Sequence, residues 1–120
     1  MINYQKYTID ELIDLYKIAA LNFEKAQNKS HYRIANKNQK IISSVYRELR
    51  NRGKDAQIKL LTLLENDSPV LKEWVSAHAL EFAPEQGIPI LEELIKLRGF
   101  VGNSARITLE MWRRGELQFP

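Results

Sequence analysis

Apolar residues return every three or four positions along most of the chain, and the breaks between runs fall on capping residues. Ile9, Leu12, Ile13, Tyr16, Ala19, Ala20 and Phe23 form the first run, the spacing of one helix face at about 3.6 residues per turn. Thr8-Ile9-Asp10-Glu11 is a capping-box pattern: the Thr8 hydroxyl accepts from a free backbone N–H and Glu11 reaches back. Asn28-Lys29-Ser30 ends the run, with Ser30 the expected N-cap of a second helix. That helix carries Ile34, Asn38, Ile41, Ile42, Val45 and Leu49 on its core face and closes at Asn51-Arg52-Gly53, a glycine stop with arginines in the last turn.

Ile58, Leu60, Leu61, Leu63 and Leu64 mark a third helix, stopped by Asn66-Asp67. Ser68-Pro69 starts a fourth, Ser as cap and Pro at the first helical position, where a missing N–H costs nothing. It runs to about Phe82. A fifth begins near Pro84 to Pro89 and reaches Gly99; a sixth follows Gly102-Asn103-Ser104, carries Ala105, Thr108, Leu109, Met111 and Trp112, and stops at Gly115. No stretch keeps the two-residue alternation of a strand. The pattern predicts one all-α domain over residues 1–120, with Leu61, Leu64, Val75, Leu80, Leu91 and Leu94 in its core.

LLTLLENDSPVLKEWVSAHAL and PILEELIKLRGFVGNSARITL both read as a leucine-rich helix, a polar turn and a helix of smaller residues. With a longer first hairpin from helices one and two, they predict three stacked antiparallel hairpins, a short α-solenoid of HEAT or armadillo type. The first segment resembles a HEAT repeat, with Asp67 in the turn and Leu71-Lys72 where that repeat favours Val-Arg. Together, ELRNRG, LLTLLENDSPVLKEWVSAHALEFAPEQGIPILEELI, GF and WRRGELQFP resemble a small bacterial family catalogued as domain of unknown function twenty-nineteen. The likeness covers residues 45–120; before that only the helical pattern is shared. Arg106 and Ile107 depart from the Glu and Met expected there. The resemblance implies a HEAT-like fold and no particular activity.

Charge changes the picture more than composition does. The chain is only +3 overall, yet between Lys29 and Lys59 nine Lys or Arg face only Glu48 and Asp55. With no cysteine, disulfides and thiolate chemistry are excluded. No apolar run has the length of a signal peptide or of the roughly 18 residues that span a bilayer. A cytoplasmic protein without a membrane partner is expected.

Trp74, His78 and Glu81 fall on the apolar side of helix four, and they read as core; a small pocket of indole and imidazole, oriented by Glu81, is the alternative. His78 has no nucleophile at a recognisable spacing, so no catalytic residue is expected. His31 and His78 lie far apart, and neither sits in a metal-ligand motif. GFVGN lacks the strand and the Lys or Ser/Thr of a phosphate loop, so no cofactor is expected either.

The remaining candidates are charged. Arg33, Lys37, Lys40 and Arg47 recur at spacings of four, three and seven on helix two. If second helices of successive hairpins share a face, Lys72 and Ser76 of helix four and Arg106, Glu110 and Arg113 of helix six join them in one groove. Such a groove suits an acidic protein partner, in toxin immunity or in scaffolding an enzyme. Nucleic acid is the less favoured partner, because net charge is modest, Glu110 sits among the cations and aromatics do not alternate with them.

Overall fold

The capping box forms as its residues require. Glu11 N–H donates to Thr8 Oγ1 at 3.1 Å and Thr8 N–H to Glu11 Oε1 at 2.8 Å, and helix α1 runs from there over Ile9–Asn28. The computed structural model describes residues 2–120. After α1 come α2 (Tyr32–Asn51), α3 (Lys54–Lys59), a 3-10 segment (Leu60–Glu65), α4 (Pro69–Phe82), α5 (Pro84–Ile95) and α6 (Phe100–Arg113); a short 3-10 turn, Tyr4–Lys6, precedes them. No strand occurs among the described residues, so the fold is all-α with six helices.

Two helix boundaries differ from expectation, and both for backbone reasons. Ser30 does not cap α2. It takes φ 58° and closes α1, its N–H on the Gln27 carbonyl (3.1 Å) and the His31 N–H on the Ala26 carbonyl (2.8 Å), the two bonds of a Schellman motif. No glycine lies between Asn28 and Tyr32, so Ser30 supplies the left-handed residue and cannot also hold the extended backbone of an N-cap. α2 therefore starts at His31 without a side-chain cap. The same motif ends α6, where Gly115 at φ 73° does the work.

The second difference is the start of α6. Gly99 turns the chain at φ 89°, and the helix begins at Phe100, so Gly102 lies inside it rather than before it. A Cβ at Gly102 would overlap the Leu97 carbonyl oxygen; glycine there lets the first turn of α6 lie against the chain leaving α5.

The described chain divides into two compact units, one ending at Leu60 and one over Leu61–Phe119. In the first, α1 and α2 pack against each other. Their buried faces carry Leu12, Tyr16, Ala20 and Phe23 from α1 and Ile42, Val45, Tyr46 and Leu49 from α2. Gln57 Nε2–H donates to the buried Tyr46 hydroxyl at 3.0 Å, tying α3 to α2.

In the second unit α4 packs on both α5 and α6, and α5 on α6, around Leu80, Leu91, Leu94, Ala105 and Leu109. The third expected helix is α over only six residues before the leucine run tightens. In 3-10 geometry residues three apart eclipse, so Leu60 and Leu63 share a buried row while Leu61 and Leu64 are half-buried. Of the expected core, Val75, Leu80, Leu91 and Leu94 are buried.

Candidate functional site

The sequence of α2 separates two faces cleanly. Ala35, Asn38, Ile42, Val45, Tyr46 and Leu49 are buried, and Arg33, Lys37, Lys40 and Arg47 stand exposed to one side of them. Arg33, Lys37 and Lys40 line an open depression of about 700 Å³ with Tyr4, Ile41 and Ser44. Arg47 lines an adjoining one of about 670 Å³ that shares Tyr4 and Ser44. A third, of about 530 Å³, shares Lys37 and Ile41 and is walled by Lys25 and Ala26 of α1 and by Lys29 just after it. These join into one trough along α2.

The trough has an anchored wall. Arg52 donates through Nη2 to the Tyr4 and Gln5 carbonyls (3.2 and 3.1 Å) and through Nε to Glu48 Oε2 (2.9 Å). The N-terminal turn is thereby tied to the C-terminal end of α2. The arrangement also disposes of Glu48, the acid that lines the trough, by pairing it within the chain at a half-buried position. Arg33, Lys37, Lys40 and Arg47 enter no ion pair among the described residues. The unit ending at Leu60 holds twelve Lys or Arg against six Asp or Glu, a net +6, whereas residues 61–119 hold six against nine, a net −3.

The other expected groove residues fare unevenly. Ser76 is fully buried and is withdrawn as a binding residue. Its hydroxyl donates to the Lys72 carbonyl at 2.6 Å, and its own carbonyl lies where α5 passes closest: a Cβ on Gly87 would sit 2.7 Å away. Lys72 is half-buried. On α6, Arg106, Glu110 and Arg113 are exposed; Arg106 Nη2 donates to Asn103 Oδ1 (3.2 Å), and Arg113 Nη2 lies 3.4 Å from Glu92 of α5.

Helix α4 buries several of its polar side chains, Glu73, Ser76 and His78 among them. His78 is buried, and its ring centroid lies 6.0 Å from that of half-buried Trp74 at a 39° tilt; Glu81 is exposed. The imidazole is thus a core group, as expected. The unexpected buried acid is Glu73, whose Oε1 accepts from Ser104 Oγ of α6 at 2.8 Å. Burial pushes the Glu73 pKa up, and the Ser104 hydrogen bond offsets part of that rise. Nothing in the sequence spacing pairs positions 31 residues apart. Among the described residues, no three His, Cys, Asp or Glu side chains gather as a metal site would require, and every buried side-chain polar atom has a partner.

No family model matches the chain, and no curated protein matches it. Among solved structures, the crystal structure of the protein RPA1889 from Rhodopseudomonas palustris is similar over 100% of both chains, with a TM-score of 0.92 and 18% sequence identity. At that identity the likeness shows the fold and carries no activity.

Proposed function

We propose that this chain is a non-enzymatic binding module, a short HEAT-like solenoid of the bacterial type its sequence resembles, that recognises an acidic protein surface. The observation that carries this reading is the trough along α2. Arg33, Lys37, Lys40 and Arg47 line it without counter-ions among the described residues, and Glu48 beside them is already paired with Arg52. Unpaired cations held on a rigid helix attract an acidic partner over a distance set by screening, about 8 Å at physiological salt, and they accelerate association more than they tighten the final contact. Half-buried Tyr4 and Ile41 in the same trough add apolar contact that a purely ionic surface would lack.

The test replaces Arg33, Lys37 and Lys40 together with Glu. Exposed substitutions shift stability by about 0.5 kcal/mol or less each, so the fold should persist. Wild-type chain titrated with fluorescent polyglutamate at about 0.15 M salt should bind, weaken as salt rises, and lose at least about tenfold in the variant. Equal binding by the variant overturns the reading. Tighter binding of duplex DNA or single-stranded RNA under the same conditions overturns it in favour of a nucleic-acid partner.

A further inference from the structure

The third depression, between α1 and α2, carries apolar side chains on its floor. Ile34 is 50% exposed there, and Ile41 and the buried Ala26 complete the floor. Asn38 adds little polarity, because its Nδ2 donates to the Ile34 carbonyl of its own helix at 2.9 Å. Lysines stand on both walls, Lys25 on α1 with Lys29 just past its C-terminal end and Lys37 on α2, and no carboxylate of the described residues lines the depression.

We infer that this groove seats an acidic amphipathic helix of a protein partner, with apolar side chains on Ile34 and Ile41 and carboxylates toward Lys25, Lys29 and Lys37. This rests on the acidic-partner reading above and specifies the shape of what binds. The argument for a helix is geometric. Ile34 and Ile41 are seven residues apart on α2, which at 1.5 Å per residue separates them by about 10.5 Å. Residues seven apart on a partner helix share a face and meet both isoleucines. On an extended strand about 10.5 Å is three residues, and residues three apart point to opposite faces. A strand would also bring main-chain groups with no sheet edge to receive them among the described residues. A groove between two packed helices accepts a third at an axis separation of about 8–10 Å, and lysines on both walls require carboxylates on both flanks of the incoming apolar stripe.

The experiment uses the full chain and synthetic peptides of about three heptads: one with Leu at the core positions and Glu flanking them, one of identical composition scrambled to destroy the stripe, and one with Lys in place of Glu. Binding is read by anisotropy at about 0.15 M salt. The acidic amphipathic peptide should bind at least tenfold tighter than its scramble and gain helical circular dichroism on binding. Ile34→Ser, at a half-exposed site that leaves the fold intact, should weaken that peptide about fivefold and leave polyglutamate binding unchanged. If scramble and stripe bind alike, the helix seat is wrong while the acidic-partner reading stands. If neither peptide nor polyglutamate binds, or the Lys peptide binds best, both readings fall. Self-association of the chain that Ile34→Ser abolishes would show a second copy as the occupant and overturn the inference.

Discussion

Gly87→Ala is a substitution whose sign depends on one contact. Inside an exposed helix, replacing Gly with Ala stabilises by about 1 kcal/mol, because alanine loses less backbone freedom on folding. Gly87, however, is buried in α5 where it crosses α4. An added Cβ would lie 2.7 Å from the Ser76 carbonyl oxygen, 3.3 Å from Ala79 Cβ and 3.4 Å from Leu80 Cδ2. The closest of these is main chain of a packed helix and cannot swing away. Restoring an ordinary 3.4 Å contact means separating the helices locally by 0.7 Å, the difference between 3.4 and 2.7. A gap of that size forfeits a quarter to a half of the dispersion attraction across it, and it opens beside Leu80 and Leu91, both buried in the unit's core. Overpacking of this kind costs about 1–3 kcal/mol. Set against the propensity gain, the expected outcome is a net loss of about 1 kcal/mol, reaching about 2 if α4 cannot shift. Urea unfolding followed by far-UV circular dichroism should show a lower midpoint with an unchanged slope. A midpoint raised to match about 1 kcal/mol of stabilisation would refute the close crossing.

Ser30→Gly should act in the opposite direction. A non-glycine residue in the left-handed region costs about 1–2 kcal/mol, so relieving it at φ 58° should stabilise by about 0.5–1 kcal/mol after the extra freedom of the unfolded chain is counted; an unchanged or lower melting temperature would contradict the Schellman assignment. Glu73→Gln tests the buried carboxyl. Its folded pKa lies above the ordinary 4.5, so the folded state holds its proton more tightly, and the associated stability is present at low pH and lost as pH rises through the folded value. The amide should therefore stabilise the protein at pH 7, with the advantage shrinking as pH falls through the folded value and gone once pH is below the ordinary 4.5; denaturant titrations at both ends of that range decide it, and destabilisation at pH 7 would sink the argument.

What the sequence disclosed and what it hid divide along the range of the interactions. The Thr8–Glu11 box and the Ser68-Pro69 start were legible because each is complete within four residues. The basic stripe of α2 was legible for the same reason, since one helix carries all of it. Ser30 was misjudged because serine suits an N-cap and a strained C-terminal turn alike, and only the absence of glycine nearby favours the second. Ser76 was misplaced because helical periodicity does not tell which side of α4 meets Gly87 of α5. Arg52 reaching residues 4 and 5 and Ser104 reaching Glu73 join positions 31 to 48 apart, and no local pattern announces such pairs. The polar turns and small-residue helices that suggested matched hairpins are local features, whereas the mutual packing of α4, α5 and α6 is a property of their surfaces taken together.

The way Arg52 holds the N-terminal turn bears on how this surface could diversify. Its guanidinium grips the carbonyl oxygens of Tyr4 and Gln5 rather than their side chains, and Asn3 holds the turn by accepting the Gln5 N–H at 3.0 Å. The fastening is therefore indifferent to which side chains stand at positions 4 and 5, while Tyr4 itself forms part of the trough. A lineage could exchange the residues at those two positions to suit a new ligand without loosening the clasp that keeps them in place. Exchange of Arg52 would instead release the whole wall at once. Selection acting on this protein would then treat neighbouring contacts very differently: free variation at the lip, and strict retention of an arginine that itself need never touch what binds.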